Sequence, residues 1–142
     1  MKKVLIDTDV ILDFFFDRQP FSESAAKVFS LCETQEIKGF LTPVIISYVY
    51  YLLRQTAKHE KVIEKLKLVL SITDILVIDK AVILQALNSD FKDFEDALQN
   101  YAAEKYTKID LILTRNLKDF RNSKLAVMTP DNFMKIQNAG NL

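Results

Sequence analysis

An α/β fold built on a parallel sheet is what this sequence predicts, and three observations carry it. Short runs rich in Val, Ile and Leu alternate with stretches of helical periodicity along the chain. Those runs are apolar throughout, which is the signature of strands covered on both faces. The 142 residues are 49% hydrophobic, enough to fill one sizeable core and to suit a single domain over 1–142.

Taken in order, Lys3-Val4-Leu5-Ile6 reads as the first buried strand, followed by an apolar helical segment through Ile11 to Phe16. Ser22 is expected to cap a helix running to about Cys32. Gly39-Phe40-Leu41 is the second strand. Thr42-Pro43 then combines a capping side chain with proline at the first helical position, opening a helix to about Thr56. A helix from about Glu60 to Leu70 precedes a third strand, Ile75 to Ile78, and another helix spans Lys80 to about Leu87. Phe94, Ala97, Leu98, Tyr101 and Ala102 fall at i, i+3, i+4, i+7 and i+8, one apolar stripe of a further helix. Ile109 to Leu113 and Leu125 to Met128 are the last two strands, and Thr129-Pro130 repeats the helix-start signal. No linker, internal repeat or low-complexity segment interrupts the series.

Composition narrows the function. Lys plus Arg equals Asp plus Glu, 19 each, so any nucleic-acid contact must come from a local patch or be helped by a bound cation. Two glycines leave no phosphate-binding glycine loop. One histidine, His59 in the charged run Lys58-His59-Glu60-Lys61, excludes a histidine-built zinc site. One cysteine, Cys32, excludes an internal disulfide framework and reads as core. The apolar run Val44 to Leu53 is too short to span a bilayer, and Asp7 comes too early for a signal peptide, so a cytoplasmic protein without membrane contact is expected.

In parallel α/β sheets the working pocket lies beyond the carboxyl ends of the strands. Asp7 follows the first strand in Asp7-Thr8-Asp9. Asp93 and Asp96 share one edge of the helix with the Phe94 stripe, and the strand ending at Leu113 delivers Thr114-Arg115-Asn116 with Asp119 close behind. Acids from distant segments that gather at one sheet edge repel one another unless a hard cation such as Mg²⁺ or Mn²⁺ neutralises them. Such an ion activates water and stabilises charge on a phosphodiester. Three of the acids also have a plain structural reading: Asp9 and Asp119 as helix caps, Asp93 as a charge opposing a helix dipole.

Val4-Leu5-Ile6-Asp7-Thr8-Asp9-Val10-Ile11-Leu12-Asp13 resembles the opening motif of PIN domains. Asp93-Phe94-Glu95-Asp96-Ala97-Leu98-Gln99 resembles their third acidic motif, Ile112-Leu113-Thr114-Arg115-Asn116-Leu117-Lys118-Asp119-Phe120 their fourth, and Val127-Met128-Thr129-Pro130 fits the close. Four motifs stand in order over nearly the whole chain. The resemblance implies a three-layer α/β/α fold with a five-stranded parallel sheet. It also implies a Mg²⁺- or Mn²⁺-dependent endoribonuclease of VapC toxin type, hydrolysing RNA with a metal-activated water. Asp7, Asp96 and Asp119 match the family's catalytic and metal-binding acids, and Thr8, Thr114 and Asn116 match accessory polar positions. An antitoxin protein and a homodimer are the partners it implies.

One departure stands out. The family toxins usually carry Glu early in the helix after the second strand, and here that position falls at Tyr48. Asp9 or Asp93 is then expected to supply the missing charge. The alternative is a degenerate PIN module that binds RNA or a partner protein without cleavage. Tyr48, Tyr50 and Tyr51 read first as core packing, with base stacking as the second reading. A haloacid-dehalogenase-type phosphatase also opens with strand-Asp-x-Asp, but its later glycine-containing acidic loop has no counterpart here. The cluster Phe14 to Phe16, or the tyrosines from Tyr48, is expected to mark a dimer or partner surface.

Overall fold

The computed structural model of the chain describes residues 1–106 and 108–140. Its elements are β1 (Lys2–Ile6), α1 (Thr8–Phe15), α2 (Ser22–Glu33), β2 (Ile37–Leu41), α3 (Pro43–Arg54), α4 (His59–Ser71), β3 (Thr73–Ile75), α5 (Lys80–Leu87), α6 (Phe94–Tyr106), β4 (Leu111–Leu113), a turn of 3-10 helix (Leu117–Phe120), β5 (Ala126–Met128) and α7 (Pro130–Gly140). The five strands lie in the order β3-β2-β1-β4-β5, and every pairing is parallel. This is the α/β/α architecture expected from the alternation of strands and helices.

The centre of the sheet is the most apolar part of the sequence. Val4, Leu5 and Ile6 of β1 and Ile112 and Leu113 of β4 are fully buried, as strands sandwiched between helix layers must be. The edge differs from expectation. The third strand is Thr73–Ile75, not Ile75–Ile78: Gly39, Phe40 and Leu41 pair with Thr73, Asp74 and Ile75. An edge strand tolerates the polar Thr73 and Asp74. The apolar run beyond it leaves the sheet after Leu76, whose N–H still reaches the Leu41 carbonyl at 2.8 Å, and Val77 is exposed.

Two helix starts follow their caps. The Thr42 hydroxyl accepts the Ile45 N–H at 3.1 Å, and the Thr129 hydroxyl accepts that of Asn132 at 3.2 Å. Ser22 does not cap α2. The Arg18 carbonyl already takes the N–H groups of Phe21 and Ser22, and the buried Ser22 hydroxyl accepts from the Gln19 amide instead. Helices α1 and α2 end without glycine. Asp17 (φ 50°) and Gln35 (φ 63°) adopt the left-handed conformation, with Arg18 N–H reaching Asp13 O and Glu36 N–H reaching Leu31 O, both at 3.0 Å.

The apolar surface also differs from the reading of the sequence. Phe14, Phe15 and Phe16 are half-buried in their own chain: Phe14 stacks on Phe15 and Phe29, while Arg18 and Lys65 cover Phe16 and Phe15. Tyr48 and Tyr51 are the exposed side chains, at 40% and 64%. Core packing therefore does not describe these two tyrosines. The buried face of α3 is Ile45, Val49 and Leu53, one stripe at four-residue spacing, and Tyr48 and Tyr51 turn away from it.

Candidate active site

The sheet order reverses direction between β1 and β4, and their carboxyl ends open the crevice where ligands bind in folds of this kind. Ile6 pairs with Leu113, so Asp7 and Thr114 emerge side by side. Backbone bonds fix both: Asp7 N–H to Leu113 O and Thr114 N–H to Met128 O, each 3.0 Å. The Asp7 carboxylate is then held at both oxygens. Oδ1 accepts the Thr8 N–H and Oδ2 the Thr114 hydroxyl, each at 2.8 Å. Asp7 thus caps α1 while standing, 4% exposed, at the end of the central strand.

Around it lies a cavity of about 320 Å³. Asp7, Thr8, Asp9, Asp93, Asp96, Asn116 and Asp119 all line it, together with Glu95, Gln99, Arg18 and Tyr48. Thr114 is fully buried and contributes its hydroxyl to Asp7 from behind. Asp96 enters from the first turn of α6, which Asp93 caps by accepting the Asp96 N–H at 3.0 Å. Asp119 enters from the 3-10 turn, exposed to solvent. Asp9 sits in the first turn of α1. Its Oδ2 accepts the Arg115 N–H at 3.0 Å and stands 3.3 Å from the Thr114 hydroxyl. The structural readings of these acids are thus divided: Asp93 is a cap, whereas Asp9 ties α1 to the segment after β4.

Crowding shows in the proton affinities. Burial, then the charges of Asp7, Asp93, Asp119 and Asp9, push Asp96 up to about 8. Burial, then Asp9, pushes Asp7 up to about 7 against the opposing hydrogen bonds from Thr114, Thr8 and Gln99. Asp9 is raised chiefly by burial, and Glu95 by burial and by Asp93. Carboxyls that hold their protons near neutrality mark candidate functional sites.

Several residues here were missed in the sequence. Gln99 lies three positions after Asp96 on α6, is 1% exposed and leaves its Oε1 without a partner. A polar residue set between Leu98 and Tyr101 of the apolar stripe was the available signal. Asp13, 1% exposed on the inner side of α1, binds Arg115 at both oxygens (2.6 and 3.0 Å) and Arg18 at 3.7 Å. Its place four residues after Asp9 was legible. Its partner, Arg115, was not, because the pair is about 100 positions apart.

The residues present suit a hard divalent cation. The donors are carboxylate and amide oxygens, and Thr8 Oγ1, Asp9 Oδ1 and Gln99 Oε1 are buried without partners. No three carboxylate, imidazole or thiol groups among the described residues stand close enough to form a ready-made cage. A spread acidic rim still fits Mg²⁺, which keeps several waters and takes only one or two carboxylates.

Comparison with known proteins agrees with this geometry. A family model described as PIN domain matches residues 3–118. Ribonuclease VapC1 of Aquifex aeolicus (strain VF5) is 29% identical over 137 residues, covering 93% of both chains. A toxin–antitoxin complex from Klebsiella pneumoniae superposes with a TM-score of 0.67 at 21% identity, over 89% of this chain and 97% of the other. The sarcin-ricin loop cleaving toxin VapC20 of Mycobacterium tuberculosis gives 0.60 at 13% identity, over 77% and 86%.

Proposed function

Because this chain belongs to the PIN domain family, we propose that it is a divalent-metal-dependent endoribonuclease of the VapC toxin type, with residues 1–142 forming one domain. One observation carries the reading: Asp7, Asp96 and Asp119, from three segments distant in sequence, line one pocket at the sheet's switch point, where burial and neighbouring carboxylates raise the proton affinity of Asp7 and Asp96. Near neutral pH such a pocket gives up its protons more readily when a cation enters it.

Asp7, Asp96 and Asp119 are the proposed holders of Mg²⁺ or Mn²⁺. When bound, that ion supplies Lewis acidity, making water a nucleophile near neutral pH and offsetting negative charge on the phosphodiester. The chain supplies the rest. Thr8 and Thr114 clamp the two oxygens of Asp7, so its direction is set before anything binds. Asp96, entering from the first turn of α6 beside Asp7, is placed to hold the ion or to orient the attacking water. Asn116 offers an amide at the rim, and Arg18 a cation for a non-bridging phosphate oxygen.

An antitoxin protein is the proposed partner, since related structures carry toxin–antitoxin complexes. The exposed Tyr48 and Tyr51 are the proposed contact for it or for a second copy of this chain. No helix among the described residues is long and apolar enough to cross a membrane, and the cytoplasm is the proposed compartment.

The degenerate module that binds without cutting has one observation in its favour: Tyr48 lines the pocket at the position the family toxins give to Glu. The two readings separate in one assay. Labelled single-stranded RNA is incubated with wild type and with Asp7→Asn, in Mn²⁺ or in chelator. Mn²⁺-dependent cutting by wild type alone is expected. Equal cutting by both proteins means a contaminating nuclease. No cutting by either, with no Mn²⁺ bound to wild type, selects the binding module.

A further inference from the structure

The acidic pocket by itself is a poor place for a polyanion. Asp7, Asp9, Asp93, Glu95, Asp96 and Asp119 line it, and Arg18 is the one cation among its described lining residues. The chain as a whole is neutral, so no global field draws a nucleic acid in. A strand that reaches these carboxylates must therefore be held next door.

Next door lies a second cleft of about 190 Å³, walled by Lys92, Lys118 and Arg121 with Asn122 and Asp119. Asp119 belongs to both cavities, so the two are contiguous. The three cations are exposed, and none forms an ion pair among the described residues. Arg18, Lys27, Lys38, Lys105 and Arg115 by contrast sit against carboxylates, and what sets the three apart from other lysines without an ion pair, such as Lys58 and Lys61, is that they wall one cleft beside the acidic pocket. The cleft is also built rather than accidental. Lys118 belongs to the 3-10 turn that carries Asp119, with Arg121 directly after it. The Asn122 amide donates to the Asp90 carbonyl at 3.2 Å, which holds the loop bearing Lys92 against this turn.

We infer that Lys92, Lys118 and Arg121 form a phosphate-docking subsite that seats single-stranded RNA beside the acidic pocket, on the Asp119 side. This deepens the ribonuclease reading and rests on it for the identity of the strand. The site reads backbone charge and not sequence. Its cost to folding is small, because all three side chains are hydrated when it is empty.

The test is binding without turnover. Fluorescence anisotropy follows a labelled single-stranded RNA of about 12 nucleotides in chelator, over salt from about 50 to about 200 mM. Wild type is compared with Lys92→Gln/Lys118→Gln/Arg121→Gln and with a charge-matched control, Lys58→Gln/Lys61→Gln/Lys67→Gln, on and beside α4 near the far edge of the sheet. Each phosphate contact on a single strand contributes about 0.7 to the slope of log K against log salt. Losing three lowers the slope by about 2, so wild type should lose roughly 15-fold more affinity than the triple variant over that range. The control should keep the wild-type slope. A triple variant with the wild-type slope, or a wild type that does not bind, overturns the subsite and leaves the cations to another anion such as an acidic protein segment. The contrast in slope without any cleavage in Mn²⁺ leaves the subsite standing and sinks the nuclease. Cleavage in Mn²⁺ without the contrast does the reverse.

Discussion

Replacing Asp7 by Asn should make the metal-free protein more stable, and the gain should grow with pH. In the folded chain Asp7 holds its proton up to about 7, against 3.8 for an ordinary Asp. Above pH 3.8 the unfolded chain gains by ionising while the buried carboxyl does not. Stability from this group is thus fully present below about pH 4 and is lost as pH rises towards about 7. With roughly 1.4 kcal/mol per pH unit, the gap between 3.8 and about 7 corresponds to about 4 kcal/mol, of which some 3 kcal/mol is lost between about pH 4 and about pH 7. Asn does not titrate, and it caps a helix about as well as Asp, so the Thr8 N–H keeps its acceptor. The side-chain amide can donate to the Thr114 hydroxyl, reversing the bond that Asp7 accepts. Urea unfolding in chelator across this range tests the claim. At a slope of about 2 kcal/mol per molar urea, the midpoint of Asp7→Asn should move ahead of wild type by an additional ~1.5 M on going from about pH 4 to about pH 7. An offset between the two proteins that stays constant with pH would refute the reasoning, because any pH-independent gain comes from packing and not from the buried charge.

Mn²⁺ should raise the melting temperature of wild type more at pH 8 than at pH 6, since the ion displaces protons that Asp7 and Asp96 hold up to about 7 and about 8; differential scanning fluorimetry with equal shifts at both values would count against these two as ligands. Tyr48→Glu adds a carboxylate to the pocket rim and should tighten Mn²⁺ binding roughly tenfold, about 1.4 kcal/mol by titration calorimetry. An unchanged affinity would mean that position 48 lies beyond reach of the ion. Gly39→Ala places a Cβ 2.7 Å from Cys32 Sγ and 3.0 Å from Ile6 Cδ1, which should cost roughly 1–3 kcal/mol in denaturant unfolding. Adding Cys32→Ala should recover part of that loss.

The fold was legible where local chemistry and burial agree. Val4 to Ile6 of β1 and Leu111 to Leu113 of β4 are short runs of Val, Leu and Ile covered on both faces, and α3 starts where Thr42 and Pro43 say it must. Legibility fell at the edge of the sheet. Thr73 and Asp74 pair with β2 because an edge strand needs only one neighbour, and no apolar pattern marks that. Asp17 and Gln35 end their helices in the conformation that glycine usually takes, so a search for glycine passes over both. In the site, Asp7 stood out just past an apolar strand, Asp96 on the edge of an apolar helical stripe and Asp119 in the segment after the strand ending at Leu113. Gln99, Arg18 and the pairing of Asp13 with Arg115 depend on which elements meet in space. Tyr48, Tyr50 and Tyr51 were read as core because aromatic residues usually pack, and of these Tyr50 does pack against it while Tyr48 and Tyr51 do not. The stripe Ile45, Val49, Leu53 already fills that face, and Tyr48 is left at the mouth of the pocket.

The arrangement around Asp7 ties the first helix, the sheet and the pocket to one carboxylate. It caps α1, it stands at the end of β1, and its second oxygen is bridged by Thr114 to β4. Burial makes its negative charge costly in the metal-free chain, and that same burial strengthens its attraction for a cation by lowering the local dielectric. The hydrogen bonds from Thr8 and Thr114 oppose the rise in its proton affinity without cancelling it. A group that only capped a helix would sit in water and ionise freely; one that only packed would be apolar. A buried acid fixed at both oxygens, with unpartnered oxygens of Asp9 and Gln99 beside it, carries a standing electrostatic strain. Under the proposed function, entry of a divalent ion would relieve that strain, so affinity for the ion and instability without it would rise together from the same residues.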